Sequence, residues 1–271
     1  MLRLALATVL LAGCSDADSP GASPDEPARV LVFSKTEGFR HASIADGIAA
    51  LREIGADRGF EVTATEDAGA FTASGLEAYA AVVFLNTTGD VLGPEAEQAL
   101  EAYVEGGRGW VGVHAAADTE YDWPWYGRLV GAYFADHPAI QEATVTVAEA
   151  DHPATRGLPS TWVRTDEWYN FRAPPQDVTV LLRLDESTYE GGSMGDDHPI
   201  AWSHTVGQGR AFYTALGHTP ASYTEAAFRD HLGGGVCWAA RLACPWAPLR
   251  RRRARRAPGR RPPPRSRRGC R

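Results

Sequence analysis

A chain of 271 residues with 44% apolar side chains holds enough material for one large α/β domain or two small ones. Its formal net charge of -7 hides a division: residues 249–271 contain 12 arginines and no acid, leaving 27 − 12 = 15 basic against 34 acidic residues elsewhere, or -19. So acidic a body argues against nucleic acid and anionic lipid as its main partners, since both demand a cationic face; the tail alone argues otherwise.

The N-terminal MLRLALATVLLAGC carries Arg3 and then an apolar run over residues 4–12, too short to span a bilayer and placed like a secretory leader. Its ending, Leu11-Ala12-Gly13-Cys14, resembles the bacterial lipobox, in which the cysteine is lipidated and becomes the first mature residue. Residues 15–28 read as a flexible polar tether. The expectation is an extracytoplasmic protein of the bacterial cell envelope, anchored to the membrane through lipid on Cys14.

From Arg29 the pattern becomes that of a doubly wound sheet. RVLVFS reads as a strand, residues 43–59 as a helix capped by Ser43, and FEVTATE and AAVVFLN as strands. A second helix, residues 94–105, opens on Pro94 and ends at Gly106-Gly107, before the strand GWVGVH. This alternation predicts right-handed βαβ units, a mostly parallel sheet and helices on both faces. Beyond residue 136 the pattern loosens: EATVTVAEA, DVTVLLRLD, HPIAWSHTV and GRAFYTAL read as strands and residues 225–242 as a closing helix. No repeat or Pro/Ser linker divides residues 29–244, so one domain is expected there.

Polar residues gather just after these strands. The first leads to His41, the third to Asn86, Thr87 and Thr88, the fourth to His114 and Asp118, and AFYTALGH ends on His218. In a parallel sheet these loops share one edge, where open α/β sheets bind ligands. A lone histidine is more often structural, but several strand exits of one kind argue jointly for a site. Two chemistries fit. One is acid–base transfer, with imidazoles tuned by Asp118, Asp166 or Glu167. The other is a divalent metal (zinc, manganese or iron) on His41, His114 and His218 plus a carboxylate. No local spacing such as HExxH selects the metal.

Aromatics stand beside acids twice, with Trp123, Trp125 and Tyr126 in one segment and Trp168 and Tyr169 in TDEWYNF. Such pairs commonly hold a sugar ring, the alternative being that they cover the sheet edge. Asn86 and Thr87 are expected to bind the same substrate. GGSMGDDHP and LGGGVCW fit no nucleotide-binding fingerprint. Cys237 and Cys244, if both helical, lie about 10 Å apart, beyond the reach of a disulfide, and are expected as buried or free thiols. Residues 245–271 read as a disordered Arg/Pro-rich tail, either a GC-rich gene translated in a wrong frame or a polybasic arm.

Taken together, GFRHASI, VVFLNTTGDVL, GVHAAADTEYDWPWYGRLVGAYFADHP, TDEWYNF, HPIAWSH and YTALGH resemble the ThuA-like (trehalose utilisation) family over residues 30–240. The resemblance implies a flavodoxin-like fold of the class I glutamine-amidotransferase type. It also implies a role in disaccharide or glycoside metabolism, extending to 3-keto sugars, and a sugar dehydrogenase as partner. Amidotransferases of that fold carry a cysteine nucleophile in a Gly-x-Cys-x-Gly elbow. Here Gly112-Val113-His114-Ala115-Ala116 sets His114 in its place, which removes thiol chemistry and puts an imidazole where it is expected to be exposed at the sheet edge.

The expected protein is an enzyme acting on a disaccharide or (3-keto)glycoside by hydrolysis, elimination or isomerisation. His114 and Glu167 are its leading catalytic candidates, and His41, His218 and Asp118 orient or ligate. Trp123, Trp125 and Trp168 stack on the ring. The alternative is a non-catalytic carbohydrate-binding lipoprotein, which needs the aromatics and not the histidines. If the site exists, His41, His114 and His218 converge on Glu167 within about 12 Å. Mass spectrometry of the membrane fraction should find the chain beginning at a lipidated Cys14; an unmodified Cys14 or an intact Met1 contradicts the leader.

Overall fold

The computed structural model describes residues 27–244; the leader with Cys14, the tether up to residue 26 and the Arg/Pro-rich tail lie outside the described residues. Strands Ala28–Phe33 (β1), Phe60–Thr65 (β2), Ala81–Leu85 (β3) and Gly109–Val113 (β4) pair in parallel in the order β2-β1-β3-β4. Every residue of β3 and β4 is buried, as strands covered on both faces require. Helix Ile44–Arg58 (α1) joins β1 to β2, the short Ala73–Glu77 (α2) precedes β3, and Pro94–Glu105 (α3) joins β3 to β4. The α1 and α3 crossovers run in opposite directions along the sheet, so their right-handedness puts the two helices on opposite faces. The loops leaving β1 and β3 therefore diverge and open a crevice at the strand carboxyl ends.

Pro94 starts α3, and Gly59 at φ 85° ends α1, both as the sequence predicts. Ser43 occupies the N-cap of α1 without capping it. Its hydroxyl instead accepts from Asn86 Nδ2 (3.0 Å) and donates to the Gly217 carbonyl (3.4 Å), tying three strand exits together.

The second half comprises Pro124–Val130 (α4), Phe134–Asp136 (β5), Gln141–Val147 (β6), Thr161–Asp166 (β7), Asn170–Phe171 (β8), Thr179–Asp185 (β9), His198–Val206 (β10), Gly209–Thr214 (β11) and Ala226–Ala239 (α5). β11 pairs with β4 in parallel, and β10, β9, β6 and β7 continue antiparallel to make a nine-stranded sheet; β5 and β8 form a separate ribbon. Val32, Val83, Val111 and Phe212 stand in register across β1, β3, β4 and β11 and centre the core. α4, β5, β7 and β8 are not among the predicted elements. β7 alternates exposed and buried positions, but its inward side chains are Trp162, Arg164 and Asp166, so the usual apolar alternation is missing.

The sheet does not stay flat. Four strand spacings separate β7 from β11, about 19 Å in a plane. Yet Asp166, at the end of β7, accepts hydrogen bonds from the backbone of Gly217 and His218, just past β11. The antiparallel half therefore curls over the parallel one. Register irregularities in β10 around Ala201 supply local bend and twist.

The expectation of free thiols is corrected. α5 stops at Ala239, Arg241 adopts a left-handed φ of 57°, and the Leu242 amide donates back to the Cys237 carbonyl (2.9 Å). That reversal brings the Cα atoms of Cys237 and Cys244 to 5.9 Å, and the two form a disulfide. A helix running to residue 242 would have kept them apart.

His231 on α5 is fully buried, its ring nitrogens 2.8 Å from the Ala154 carbonyl and 3.1 Å from Thr214 Oγ1. Burial pulls its pKa from 6.5 to about 3, against the bond to Ala154. The unfolded chain therefore takes up a proton that the fold refuses. The stability this group contributes is complete above pH 6.5 and falls with pH toward 3, by about 2 kcal/mol at pH 5. Thermal melts should show stability falling between pH 7 and 5, and His231→Gln should flatten that slope while lowering stability at pH 8.

Candidate functional site

Three of the parallel strands each deliver one group to the crevice. His41 follows β1, His114 follows β4 and His218 follows β11, while Glu167 arrives from β7 over the curled sheet. One donor atom from each of the four lies within 4.8 Å of every other. His114 Nε2 is 3.2 Å from Glu167 Oε2 and 3.1 Å from His218 Nδ1, which is itself 3.0 Å from Glu167 Oε2. The His41 ring stands edge-on to both other imidazoles at 5.0 Å, and its Nδ1 is buried without a hydrogen-bond partner. The convergence expected of the three histidines on Glu167 is what the structure shows. A proton relay and a metal centre share this spacing.

His114 holds the elbow conformation, at φ 50° between β4 and a 3-10 turn over His114–Asp118. Left-handed backbone is costly for a residue with a Cβ, and the surroundings fix it. Tyr213 donates to the His114 carbonyl (2.8 Å), and Nδ1–H donates to the Ala215 carbonyl (2.7 Å), which leaves Nε2 turned to the cluster. The ring is not exposed at the sheet edge as expected: it is 0% exposed, with the Tyr169 ring tilted over it at 4.1 Å.

The electrostatics follow from burial and crowding. Burial, then the neighbouring His114 and His218, lower the His41 pKa to about 3, so this ring is neutral at pH 7. Burial pushes the Glu167 carboxyl up, but hydrogen bonds and charge from His114 and His218 outweigh it and hold the group ionised, below the usual carboxylate range.

Asp166 positions this cluster without entering it. Its buried carboxylate accepts from the amides of Glu167 (3.1 Å), Gly217 (2.9 Å) and His218 (3.1 Å), and from Ser222 Oγ (3.4 Å). Arg164 pairs with it at 3.1 Å.

Other expected site residues stand elsewhere. Asp118 accepts from the Tyr121 hydroxyl (2.6 Å) and does not join the group. Asn86, left-handed at φ 51°, braces Ser43 and Gly217, and Thr87 bonds Thr119 (2.9 Å); both are wholly buried and tied into the scaffold. Trp125, Tyr126, Trp168 and Tyr169 are core residues, with polar atoms directed to Glu105, the Ala116 carbonyl and the Gln141 carbonyl for the first three. None presents an open face to a sugar. Trp123 is half-buried, stacks on Trp125 at 4.9 Å, and lines a different cleft of about 230 Å³ with Asp90, Glu97 and Glu120.

Two residues the sequence reading passed over stand beside the cluster. Phe39, in the same GFRH word as His41, is 65% exposed, with its ring 4.9 Å from the His41 ring. His137 has a side chain 41% exposed, and its Nδ1 lies 3.2 Å from Glu167 Oε1. An aromatic side chain left in water beside buried imidazoles was the available signal.

Residues 29–239 match the family model described as ThuA, trehalose utilisation. No curated protein matches the chain. The fold is similar to that of a protein from Bacteroides uniformis described as ThuA-like, 24% identical, with TM-score 0.68 over 82% of this chain and 95% of that one. A second protein described as ThuA-like, from Parabacteroides merdae, is 23% identical, with TM-score 0.67 over 79% of this chain and 90% of that one. A cytoplasmic protein from Salmonella typhimurium shares the fold at 13% identity, with TM-score 0.56 over 78% and 98% of the two chains.

Replacing Asp166 by Ala leaves the amides of residues 167, 217 and 218 without their acceptor and Arg164 with Glu225 (3.2 Å) as its remaining carboxylate partner. Urea unfolding should show a loss of about 3–5 kcal/mol. Asp166→Asn, which keeps one acceptor oxygen, should lose less.

Proposed function

The chain belongs to the ThuA family of trehalose utilisation, and from that premise we propose an extracytoplasmic, lipid-anchored enzyme that acts on a disaccharide or (3-keto)glycoside by acid–base chemistry. Its reactive centre is His41, His114, Glu167 and His218. The observation that carries this reading is the convergence of three imidazoles and one ionised carboxylate on one point, at the end of the sheet where ligands bind.

The chemistry follows from what such groups do. In a 3-ketoglycoside the carbonyl acidifies the proton on C2. A base takes that proton, and the C1–O bond breaks as an acid returns a proton to the departing oxygen. An unoxidised disaccharide cleaved by water likewise needs one base and one acid. Phe39 offers its exposed ring to an apolar sugar face beside His41, and His137 stands where a hydroxyl or leaving oxygen would meet it. His114 fills the elbow position that a thiol nucleophile would take, so no acyl-type intermediate is invoked. A sugar dehydrogenase acting first would supply the 3-keto substrate. The Cys237–Cys244 bridge supports an oxidising compartment outside the cytoplasm, in keeping with the lipobox at Cys14.

The full chain should convert trehalose or its 3-keto form, with products followed by chromatography. Glu167→Gln and His218→Ala should each lower kcat by about 100-fold or more with melting temperature nearly unchanged. Phe39→Ala should raise KM and spare kcat. Binding without conversion by the wild-type protein would return the chain to the carbohydrate-binding alternative; neither binding nor conversion would overturn both readings.

A further inference from the structure

We infer that His41, His114, Glu167 and His218 hold a divalent transition metal, zinc by preference; this rests on the reading of that cluster as the reactive centre. The first argument is the convergence of donor atoms. Nδ1 of His114 donates to the Ala215 carbonyl, so Nε2 is the ring nitrogen left to face the cluster. It stands 3.2 Å from Glu167 Oε2 and 3.1 Å from His218 Nδ1, and the last two are 3.0 Å apart. A cation placed over this triangle meets all three atoms at once.

The second argument is size. With metal–ligand bonds of about 2.0–2.1 Å, neighbouring donors stand about 3.3–3.4 Å apart in a tetrahedron and about 2.9 Å apart in an octahedron. The observed edges of 3.0–3.2 Å fall between these values. His41 supplies the fourth group. It is 5% exposed and edge-on to both other rings, and its Nδ1 has no hydrogen-bond partner. A buried, unpartnered ring nitrogen beside three converging donors is accounted for by a ligand.

The donor set and its supports agree. Three nitrogens and one oxygen select the zinc, manganese and iron class over calcium or magnesium, which take oxygen donors. Ligating imidazoles are normally oriented by an outer hydrogen bond on the other nitrogen, and His114 has one to Ala215. Glu167 directs Oε2 into the triangle while Oε1 lies beside His137. Bound there, the ion would polarise a sugar carbonyl or acidify a coordinated water. In either case proton transfer at the rim falls to His137.

The purified full chain is tested by elemental mass spectrometry as isolated, and then after chelation and titration with Zn²⁺, Mn²⁺ or Mg²⁺ while melting temperature is followed. About one equivalent of metal per chain is expected, with melting temperature rising on Zn²⁺ or Mn²⁺ and not on Mg²⁺. Cobalt substitution should give visible absorption bands in the wild type that are lost in Glu167→Gln, a near-isosteric change. Uptake should likewise be lost in His218→Ala and kept in the control Asp118→Asn. Metal retained undiminished in both cluster variants would mean binding elsewhere, at Asp90, Glu97 and Glu120 for example, and overturns the inference. So does a wild-type chain that takes up neither Zn²⁺ nor Mn²⁺. If metal binds as described and no glycoside is turned over, the metal centre stands and the proposed reaction falls. If the metal-free chain turns over a glycoside at the full rate, the reaction stands and the metal has no part in it.

Discussion

The carboxylate of Asp166 joins the two halves of this protein. It sits at the end of the outermost antiparallel strand, wholly buried, and gathers the backbone amides of residues 167, 217 and 218 together with Arg164 and Ser222. A buried ion pair earns no automatic stability, because desolvating two charges costs about as much as their attraction returns. What this one secures is geometry. Glu167 and His218 each neighbour or carry an amide that Asp166 holds, so a single carboxylate sets the separation of the cluster's acid from one of its imidazoles.

The rest of the site is a set of strand exits held under tension. His114 is kept in a left-handed conformation by Tyr213 on its carbonyl, and its ring is aimed by Ala215. Asn86, also left-handed, reaches across to Ser43 and Gly217 and so laces the loops after β1, β3 and β11. Around these the aromatic residues form a packed wall: Tyr169 covers His114, and His198 bonds the Tyr169 carbonyl (2.8 Å). Buried side chains locked in this way hold donor atoms to within about 0.5 Å of one fixed geometry, which either a proton relay or a metal requires.

The division between fixed and open parts is equally physical. Imidazoles and carboxylate lie on the buried side, where a low dielectric strengthens their mutual interactions. Phe39 and His137 lie on the wet side. The aromatics expected to stack on a sugar belong to the wall instead, because the same large rings are what fills the space between curled sheet and helix.

The amino-acid sequence by itself determined the parallel half: β1 to β4, the helices α1 and α3 with their Pro94 and Gly59 boundaries, and three histidines at strand exits. These follow from hydrophobic period and capping, which act over a few residues and are written locally. Glu167 was legible as an acid among aromatics, and the family words quoted from the chain made the fold recognisable. Only the tertiary structure decided that β7 curls over to bring Glu167 to His218, that Trp125, Tyr126 and Trp168 are core, that Asn86 is a brace, and that the chain reverses at Arg241 to bridge Cys237 and Cys244. Each depends on a partner distant in sequence or on a single residue's backbone angle. Asp166 meets its amides some fifty residues away, and no local pattern records which buried polar group will find which partner once the sheet has bent.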